Sequence, residues 1–416
     1  MTLLRFVTDG LREMLRGSPA YWRWVGALVV LFGIGVVAYI GQLREGLVVT
    51  GMSDQVSWGF YISNFAFLVG IAAAAVLLVI PAYIFHRKDV KAVVLLGECL
   101  AVAAVVCAML FVLVDLGSPE RAWHLIPFIG RFNWPTSMLA WDVLVLNGYL
   151  VLNLVLPFYV LYMHYQDKEP NYRLYFPLVV VAMFWAISIH TVTAFLFAAN
   201  SARPFWHTPL LAPRFIASAF VSGPALIIVI LQIVRRVTDY PVSQSVIDML
   251  ALIMAVTLQI SLFFVLAELF TDFYNETSHA GSIRYLFFGL DGLNKLQPWI
   301  WSALVMNLVA VVILSVHHLR RTPRLLNLAC GLAFTGIWIE KGMGLVVPGF
   351  IPTPLGEVFE YSPTATELLV TLGIWAFGAL VFTLLAKATI AVQTGRLRAS
   401  PAAAAAMPAA GAELRA

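Results

Sequence analysis

A small set of polar side chains interrupts the long apolar stretches of this chain. An ionisable group inside a membrane span costs about 2.5–3.5 kcal/mol on insertion scales, so groups retained there are candidates for function. The set consists of Asn64, Glu98, Asp115, Asp142, His190, Glu268, Glu340 and Lys341. All except Glu98 fall in the outer parts of their spans. We therefore expect one polar site, built from several helices, that opens towards the outer face of the membrane.

The residue types in this set favour proton-coupled chemistry on a hydrophobic ligand. Histidine relays protons near neutral pH, and the neighbouring carboxyl groups can pass protons to the aqueous face. A ring with two carbonyl groups that takes up two electrons and two protons needs hydrogen-bond donors, a titratable neighbour and apolar walls. A quinone meets these demands, with His190, Asp142 and Asp115 as the candidate catalytic groups.

The composition indicates an all-α membrane protein. Of 416 residues 61% are hydrophobic and only 12% charged, with a mean hydropathy of +0.88, which excludes a water-soluble globule. Unbroken apolar runs such as residues 71–80 favour a polytopic helical bundle over a closed barrel of alternating strands. The predicted spans are 24–41, 57–84, 92–114, 138–163, 174–199, 212–234, 246–271, 298–316, 325–347 and 366–391.

The positive charges predict an orientation with both termini in the cytoplasm. With ten crossings, eighteen of the 26 Lys and Arg residues fall in inner segments, seven in outer loops, and Lys341 within a span. Inner loops carry this excess in membrane proteins. The net charge of +4 is therefore an orientation signal and gives no reason to expect nucleic acid. We expect a multi-pass protein of the bacterial inner (cytoplasmic) membrane, with the lipid bilayer as its surroundings.

Three regions are predicted along the chain. Residues 1–20 alternate apolar residues with arginines, which suits an amphipathic helix on the inner membrane surface. Residues 21–392 form the ten-helix membrane domain. Residues 393–416 are rich in Ala and Pro, which is typical of a disordered cytoplasmic tail.

Cysteine and histidine positions argue against bound redox centres in this chain. Cys99, Cys107 and Cys330 are isolated in apolar spans, so we expect neither an iron–sulfur cluster nor a covalently attached haem. A haem held between two histidines needs a facing pair, and only His190 lies well inside a span. A haem between histidines at the inner edges is a minor alternative, and no metal site is predicted.

Several local sequences resemble one family of membrane proteins. They are residues 57–64 (SWGFYISN), residues 70–74 (GIAAA), residues 115–123 (DLGSPERAW), Asn133, Ser137, Trp141 and residues 188–191 (SIHT). These look like the NrfD/PsrC family of quinone-interacting membrane subunits, and most like its ten-helix HybB/DsrP branch. The similarity covers roughly residues 20–392, and the cluster after residue 114 is its most specific part.

The resemblance implies a subunit that binds exchangeable menaquinone or ubiquinone near the periplasmic side. It also implies electron exchange with a ferredoxin-like iron–sulfur subunit on that side, with a cytochrome or second membrane subunit as a further candidate partner. The candidate quinone contacts are Tyr61, Asn64, Arg121, Trp123, Ser137 and His190. The candidate proton pathway comprises Glu98, Glu268, Glu340 and Lys341. Some relatives carry an acidic residue where Asn64 stands, and the family does not fix the direction of electron transfer.

Several simpler interpretations stay open at this point. His190 can serve only to hold two helices together, and Asp115 can form a structural ion pair with Arg121. Glu340 and Lys341 are adjacent and point about 100° apart on a helix, so each is expected to meet a partner on another span. For Lys341 the expected partner is Glu268 or Asp142.

The role of Glu98 and the class of protein also stay open. Glu98 is either a neutral, hydrogen-bonded side chain or the start of a proton path together with polar residues such as Gln259. A secondary transporter and a purely structural anchor are the alternative functions, although no paired helix interruptions of the transporter kind stand out in the sequence.

Overall fold

The computed structural model describes residues 2–275 and 280–399 and is built almost entirely of helices. Ten helices in this part of the chain are long and apolar enough to cross a membrane. Spans 1 to 10 are Pro19–Glu45, Phe60–Tyr83, Val94–Asp115, Met138–Tyr165, Tyr172–Ala198, Leu211–Val237, Gln244–Tyr274, Gln297–Ser315, Pro323–Phe350 and Ala365–Gln393. The predicted all-α membrane bundle and its span count are confirmed.

Eight of the spans form two rings of four helices. Spans 2, 3, 4 and 5 pack consecutively and close through a contact between spans 2 and 5, and spans 6, 7, 8 and 9 close in the same way. The rings meet where span 2 packs on spans 6 and 9 and where span 5 packs on span 6. Span 2 is consequently the most enclosed helix, with 89% of its apolar core buried. In both rings consecutive spans pack together and the first span contacts the fourth. No internal repeat was visible in the sequence, so only the structure shows this common arrangement.

Spans 1 and 10 form a pair outside the two rings, and span 10 attaches it to span 3. The pair packs closely because Gly35 and Gly373 face each other. A side chain on Gly35 would bring its Cβ within 2.6 Å of the Gly373 Cα, closer than van der Waals contact permits. Small residues allow such close backbone approach between membrane helices. Only 17% of span 1 is buried, so most of its apolar surface faces outwards.

Both ends of the described chain meet at one face of the bundle. The predicted N-terminal amphipathic helix is present as Thr2–Met14, with Phe6 buried. Its Asp9 accepts a hydrogen bond from the Tyr165 hydroxyl at 2.8 Å, and the Tyr165 carbonyl accepts one from Ala399 N at 2.9 Å. An even number of crossings returns the chain to the face where it began, so ten spans place both ends on the same side. We call this side the terminal face. Residues 400–416, most of the predicted tail, lie outside the described residues.

Two spans are interrupted, both next to the interface between the rings. Span 2 consists of Phe60–Ala73 and Val76–Tyr83, and its interruption lies against Gly223 of span 6, where any Cβ would overlap Ala74. The long helix of span 9 ends at Lys341, after which Gly342 redirects the chain into a short helix. The break in span 9 therefore places two charged residues, Glu340 and Lys341, at a helix end inside the bundle.

Candidate functional site

The centre of the second ring holds a buried ionic triad. Arg214, in the first turn of span 6, donates one hydrogen bond to Glu268 of span 7 and another to Glu340 of span 9, the latter at 3.1 Å. Asn307 of span 8 donates to the second oxygen of Glu340 at 3.3 Å. All four helices of the ring thus contribute. Because one guanidinium serves two carboxylates, removal of Arg214 would leave buried charge uncompensated.

Lys341 lies beside this triad, His190 lies near Lys341, and neither has a hydrogen-bond partner in the described part of the chain. The Lys341 ammonium lies 4.2 Å from the centre of the Phe215 ring and within electrostatic range of His190. Among the described residues, neither the Lys341 nitrogen nor either ring nitrogen of His190 has a partner, although both side chains are at most 5% exposed. Gly70 of span 2 leaves room for the ammonium, since a Cβ there would lie 3.1 Å from it. Buried donors are rarely left unpaired, so these atoms are available to a ligand or to water.

Asp142 lies near His190 through a contact between spans 4 and 5. Thr193 of span 5 donates a 2.6 Å hydrogen bond to the Asp142 carboxylate, and both side chains are buried. Thr193 follows His190 by three residues on the same helix, so the two lie on one face. We call Asp142, His190, Arg214, Glu268, Glu340 and Lys341 the charged cluster. It joins both four-helix rings.

Asp115 belongs to a second polar group, at the junction of spans 1, 2, 3 and 10. The Tyr61 hydroxyl donates to the Gln42 side chain, whose amide in turn donates to the Val114 carbonyl, each at 2.7 Å. Asp115 lies within electrostatic range of Tyr61 and of Glu367, the first acidic residue of span 10. One Asp115 oxygen is buried without a partner in the described chain. Asp115 and Tyr61 are therefore brought together, but their contacts are separate from those of His190.

Glu367 ties this second group to the connections between spans 1 and 2 and between spans 9 and 10. It accepts hydrogen bonds from Gly51 N at 2.7 Å, from Thr364 N at 2.9 Å and from the Tyr361 hydroxyl. Burial, together with the neighbouring Glu367 carboxylate, raises the pKa of the Tyr361 phenol, which therefore stays protonated as the donor. Its oxygen also accepts from Phe60 N at 2.8 Å. These bonds fasten the start of span 2 to the start of span 10, an anchoring role.

Asn64 is fully buried and its hydrogen-bonding capacity is largely used by protein groups. Its side-chain oxygen accepts from the indole nitrogens of Trp338 at 3.1 Å and Trp375 at 3.0 Å. Its amide donates to the Phe60 carbonyl at 2.8 Å. Asn64 thus links spans 2, 9 and 10, and its predicted contact with a ligand stays a prediction.

Three other candidate contacts lie in or beside the connection between spans 3 and 4. Ser137 accepts from Ala140 N at 3.4 Å and caps span 4. Trp123 is 48% exposed and stacks on His124, with ring centres 3.8 Å apart. Arg121 is exposed. The contacts of these side chains are local, and in the described residues none reaches the charged cluster.

Glu98 lies apart from both groups, beside a small cavity within the first ring. The cavity has a volume of about 10 Å³ and is lined by Tyr149 and Asn153 as well as Glu98, which leaves room for about one water molecule. One Glu98 oxygen has no partner among the described residues. Gln259 does not line this cavity, and its amide donates to the Ser315 hydroxyl at 3.3 Å, between spans 7 and 8.

One expected ion pair is wrong in this structure, and one pair left open by the sequence is not found among the described residues. Lys341 was expected to neutralise Glu268 or Asp142, but Glu268 pairs with Arg214 and Asp142 accepts from Thr193. Asp115 and Arg121 form no ion pair in the described chain, because the Arg121 side chain points to the surface. The expectation that Glu340 meets a partner on another span is confirmed by its contact with Arg214.

Arg214 and Glu367 were missed by the sequence reasoning. Both stand within the first turn of a span, at the end opposite the terminal face, where a charged residue is indistinguishable from a loop residue in hydropathy patterns. Arg214 was accordingly counted among the cations of the predicted outer loops, yet only 12% of its side chain is exposed. Its position was nevertheless an available signal, because it stands at about the same depth as Glu268 of span 7 and Glu340 of span 9.

No group of three or more His, Cys, Asp or Glu side chains in residues 2–275 and 280–399 is arranged to hold a metal ion. Cys99, Cys107 and Cys330 are all free and buried. Cys107 donates to the Ile374 carbonyl at 3.3 Å, so it contributes to the contact between spans 3 and 10. These cysteines behave as small core residues.

The fold and the site together define a multi-pass integral membrane protein whose helical rings enclose a cluster of ionisable groups. The family model described as polysulphide reductase, NrfD, matches residues 48–336, more than half of the chain. The protein belongs to this family, as the resemblance had indicated.

Its relatives are membrane subunits of comparable length. The chain is 27% identical to a putative dimethyl sulfoxide reductase membrane subunit of Halobacterium salinarum, covering 86% of this chain and 88% of the relative. It is 24% identical to the Hdr-like menaquinol oxidoreductase integral membrane subunit of Archaeoglobus fulgidus, covering 88% and 92%. It is also 24% identical to the menaquinone reductase integral membrane subunit of Nitratidesulfovibrio vulgaris, covering 88% and 90%. A bacterial cytoplasmic membrane is consistent with these similarities.

Proposed function

We propose that this protein is the quinone- or quinol-binding membrane subunit of a multi-subunit oxidoreductase. The observation that carries the proposal is the pair of buried, unpartnered groups formed by His190 and Lys341. Relatives described as a menaquinol oxidoreductase subunit and a menaquinone reductase subunit support it. The ligand would be menaquinone or ubiquinone, exchanging with the membrane pool.

The charged cluster fits the head group of a quinone. A bound quinone supplies two carbonyl oxygens that accept two electrons and two protons. Lys341 offers an ammonium donor, and His190 offers a ring nitrogen as donor or acceptor. Thr193, one turn along from His190, donates to Asp142. This hydrogen bond fixes the face of span 5 that carries His190 against span 4. Phe215 provides an apolar surface beside the ammonium.

The ionic triad connects these donors with the outer end of span 7. Glu340 adjoins Lys341 in sequence and shares Arg214 with Glu268. Asp272 follows Glu268 by one helical turn, is buried and lies within electrostatic range of it. These carboxyl groups form a route along which protons would move between His190 and the outer aqueous face.

An iron–sulfur partner on the outer side would complete the electron path. The connection between spans 3 and 4 exposes apolar side chains at that face: Trp123, Ile126, Phe128, Ile129 and Trp134. Phe128 is fully exposed in a positive-φ turn, which is unusual for a surface that stays in water. We assign this connection as the docking surface of a ferredoxin-like subunit. A cytochrome or second membrane subunit is a further candidate, with the outward-facing side of span 1 available to it.

The test is to purify the protein from native membranes with its bound subunits. We expect an iron–sulfur protein to co-purify and to form chemical cross-links to residues 119–134. We also expect a non-reducible quinone analogue to bind saturably, quenching tryptophan fluorescence, and the isolated chain to bind it without transferring electrons. Absence of analogue binding in both the complex and the isolated chain would contradict the proposed function.

A proton path from the terminal face to the charged cluster would start at Glu98. Its unpartnered oxygen faces the small cavity with Tyr149 and Asn153. Glu98→Gln keeps the shape but cannot release a proton, so we expect it to abolish proton uptake from this face while quinone affinity stays the same. Proton movement per electron would be measured in liposomes, with the exposed Glu169→Gln as the matched control. Unchanged stoichiometry in the Glu98 variant would refute the path.

The alternatives account for fewer of these observations. A transporter with broken helices would place them in corresponding halves, whereas the interruptions fall in span 2 and span 9, and their counterparts in the other ring, spans 6 and 5, are continuous helices. A purely structural anchor gives no reason for the unpartnered nitrogens of His190 and Lys341.

A further inference from the structure

A cavity of about 350 Å³ opens at the terminal face, at the opposite ends of spans 7 and 9 from Glu268 and Glu340. It lies among the connection after span 2, the start of span 7 and the connection between spans 8 and 9. Its wall is formed by Arg87, Ser245, Asp248, Met249, Leu252, His317, Arg320 and Arg321. Three arginines and a histidine therefore surround one cavity that contains a single carboxylate. The proposed function makes no use of it.

Arg87 is held rigidly at one side of the cavity. Its guanidinium donates to both Asp89 oxygens, at 3.2 and 2.5 Å, and to the Ser245 hydroxyl at 2.6 Å. These hydrogen bonds lower the pKa of the Asp89 carboxyl, so the pair stays charged at neutral pH. Arg87 and Ser245 therefore line one side of the cavity, and the positive charge of Arg87 is balanced by Asp89.

Arg320 and Arg321 supply the excess positive charge. Arg320 donates one hydrogen bond to the Leu314 carbonyl at 2.6 Å, which leaves most of its five N–H donors for another acceptor. Arg321 lies 3.7 Å from Asp248, and its side chain is 61% exposed. One carboxylate thus faces two arginines and His317. An oxyanion with several acceptor oxygens would satisfy these donors, and guanidinium groups bind phosphate with good geometry.

The cavity continues into an apolar track on the outside of the bundle. Leu252 lines the cavity and is 50% exposed, and Val256, one turn along the same face of span 7, is also 50% exposed. Val312 of span 8 is 58% exposed, and Val316, directly after this span, is 42% exposed. A basic pocket at the end of two helices with an apolar track below it matches the two parts of an acidic phospholipid.

We propose that this cavity binds the phosphate of an acidic phospholipid head group, whose acyl chains lie along spans 7 and 8. Basic pockets between membrane helices recognise acidic lipids through the same chemistry. The recognised group is a phosphoryl oxyanion, which a free phosphate ion also presents. The inference does not depend on quinone binding, since none of the lining residues belongs to the charged cluster.

The test uses the purified complex, delipidated in detergent and titrated with phosphatidylglycerol or phosphatidylcholine under native mass spectrometry. The variant is Arg320→Gln with Arg321→Gln. The control, Arg236→Gln with Arg324→Gln, removes two exposed arginines that do not line the cavity. Each charge at a membrane surface contributes about fivefold to acidic-lipid affinity, so we expect the double variant to bind phosphatidylglycerol roughly 25-fold more weakly. The control should change much less, because screened charges act weakly at a distance.

Two further arms separate the sources of phosphate and guard against misfolding. Inorganic phosphate in excess should fail to displace phosphatidylglycerol from the unmodified complex; displacement would overturn the lipid as ligand. Arg321→Glu, at an exposed position, should reproduce the weakened binding without affecting thermal unfolding. Equal binding of both lipids, or wild-type affinity for phosphatidylglycerol in both cavity variants, would overturn the proposal.

Discussion

Replacing His190 by glutamine is expected to slow quinone-coupled electron transfer by about 100-fold or more, since a positioned acid–base group contributes about 10²–10⁴ to rate. Glutamine retains hydrogen-bonding capacity, but it cannot take up or release a proton. The imidazole is only 1% exposed and has no partner among the described residues, so no protein hydrogen bond is lost. The rate would be measured as quinol oxidation or quinone reduction by the purified complex.

A matched control separates this role from helix packing. His207→Gln alters an exposed histidine in the connection between spans 5 and 6, whose ring nitrogen lies 2.9 Å from the Ala198 carbonyl. This variant should leave the rate unchanged. The partner subunits should co-purify with both variants. If His190→Gln dissociated the complex, or left the rate at the wild-type value, His190 would be a structural residue and the proposed function would lose its main support.

Replacing Arg214 by glutamine is expected to destabilise the protein by about 3–5 kcal/mol, the cost of breaking a buried ion pair by removing one partner. Glu268 and Glu340 would lose their common cation, while only 17% and 3% of their side chains are exposed. Thermal unfolding in detergent would detect the change. Arg44→Gln, at an exposed position in the last turn of span 1, should alter stability by no more than about 0.5 kcal/mol.

A triple variant distinguishes charge imbalance from loss of shape. Combining Arg214→Gln with Glu268→Gln and Glu340→Gln replaces the ionic triad by neutral amides, so most of the lost stability should return. Proton-coupled turnover should remain low, because the proposed route then lacks both carboxyl groups. Full turnover in a stable triple variant would exclude the ionic triad from proton transfer.

The span pattern could be predicted because each helix needs about 20 apolar residues to cross the membrane. Pairing between spans could not be predicted, since apolar helices offer many equivalent neighbours. Asp115 illustrates the consequence: its depth matched that of His190, but it lies within electrostatic range of Tyr61 and Glu367 instead. The position of a residue along its span determines only its depth in the membrane. A shared site also requires the helices to be adjacent and their polar side chains to face each other.

The ends of spans were the second source of error. Arg214 reads as a loop cation in a charge count, but the chain folds so that its side chain extends back into the second ring. Glu340 was expected to meet a partner elsewhere, and Arg214 is that partner. The break after Lys341 was also invisible in hydropathy, because Gly342 and the following residues remain apolar. Sequence thus indicated the acidic members of the cluster but not the cation that holds them.

The contact between Gly35 and Gly373 has a consequence for how the protein is made. Of the ten spans, span 1 is synthesised first and span 10 last, yet each is the other's principal neighbour. The face of span 1 that carries Gly35 can therefore meet Gly373 only after the eight spans of the two rings have been synthesised. Because the rings close through contacts among their own helices, their assembly does not require this pair.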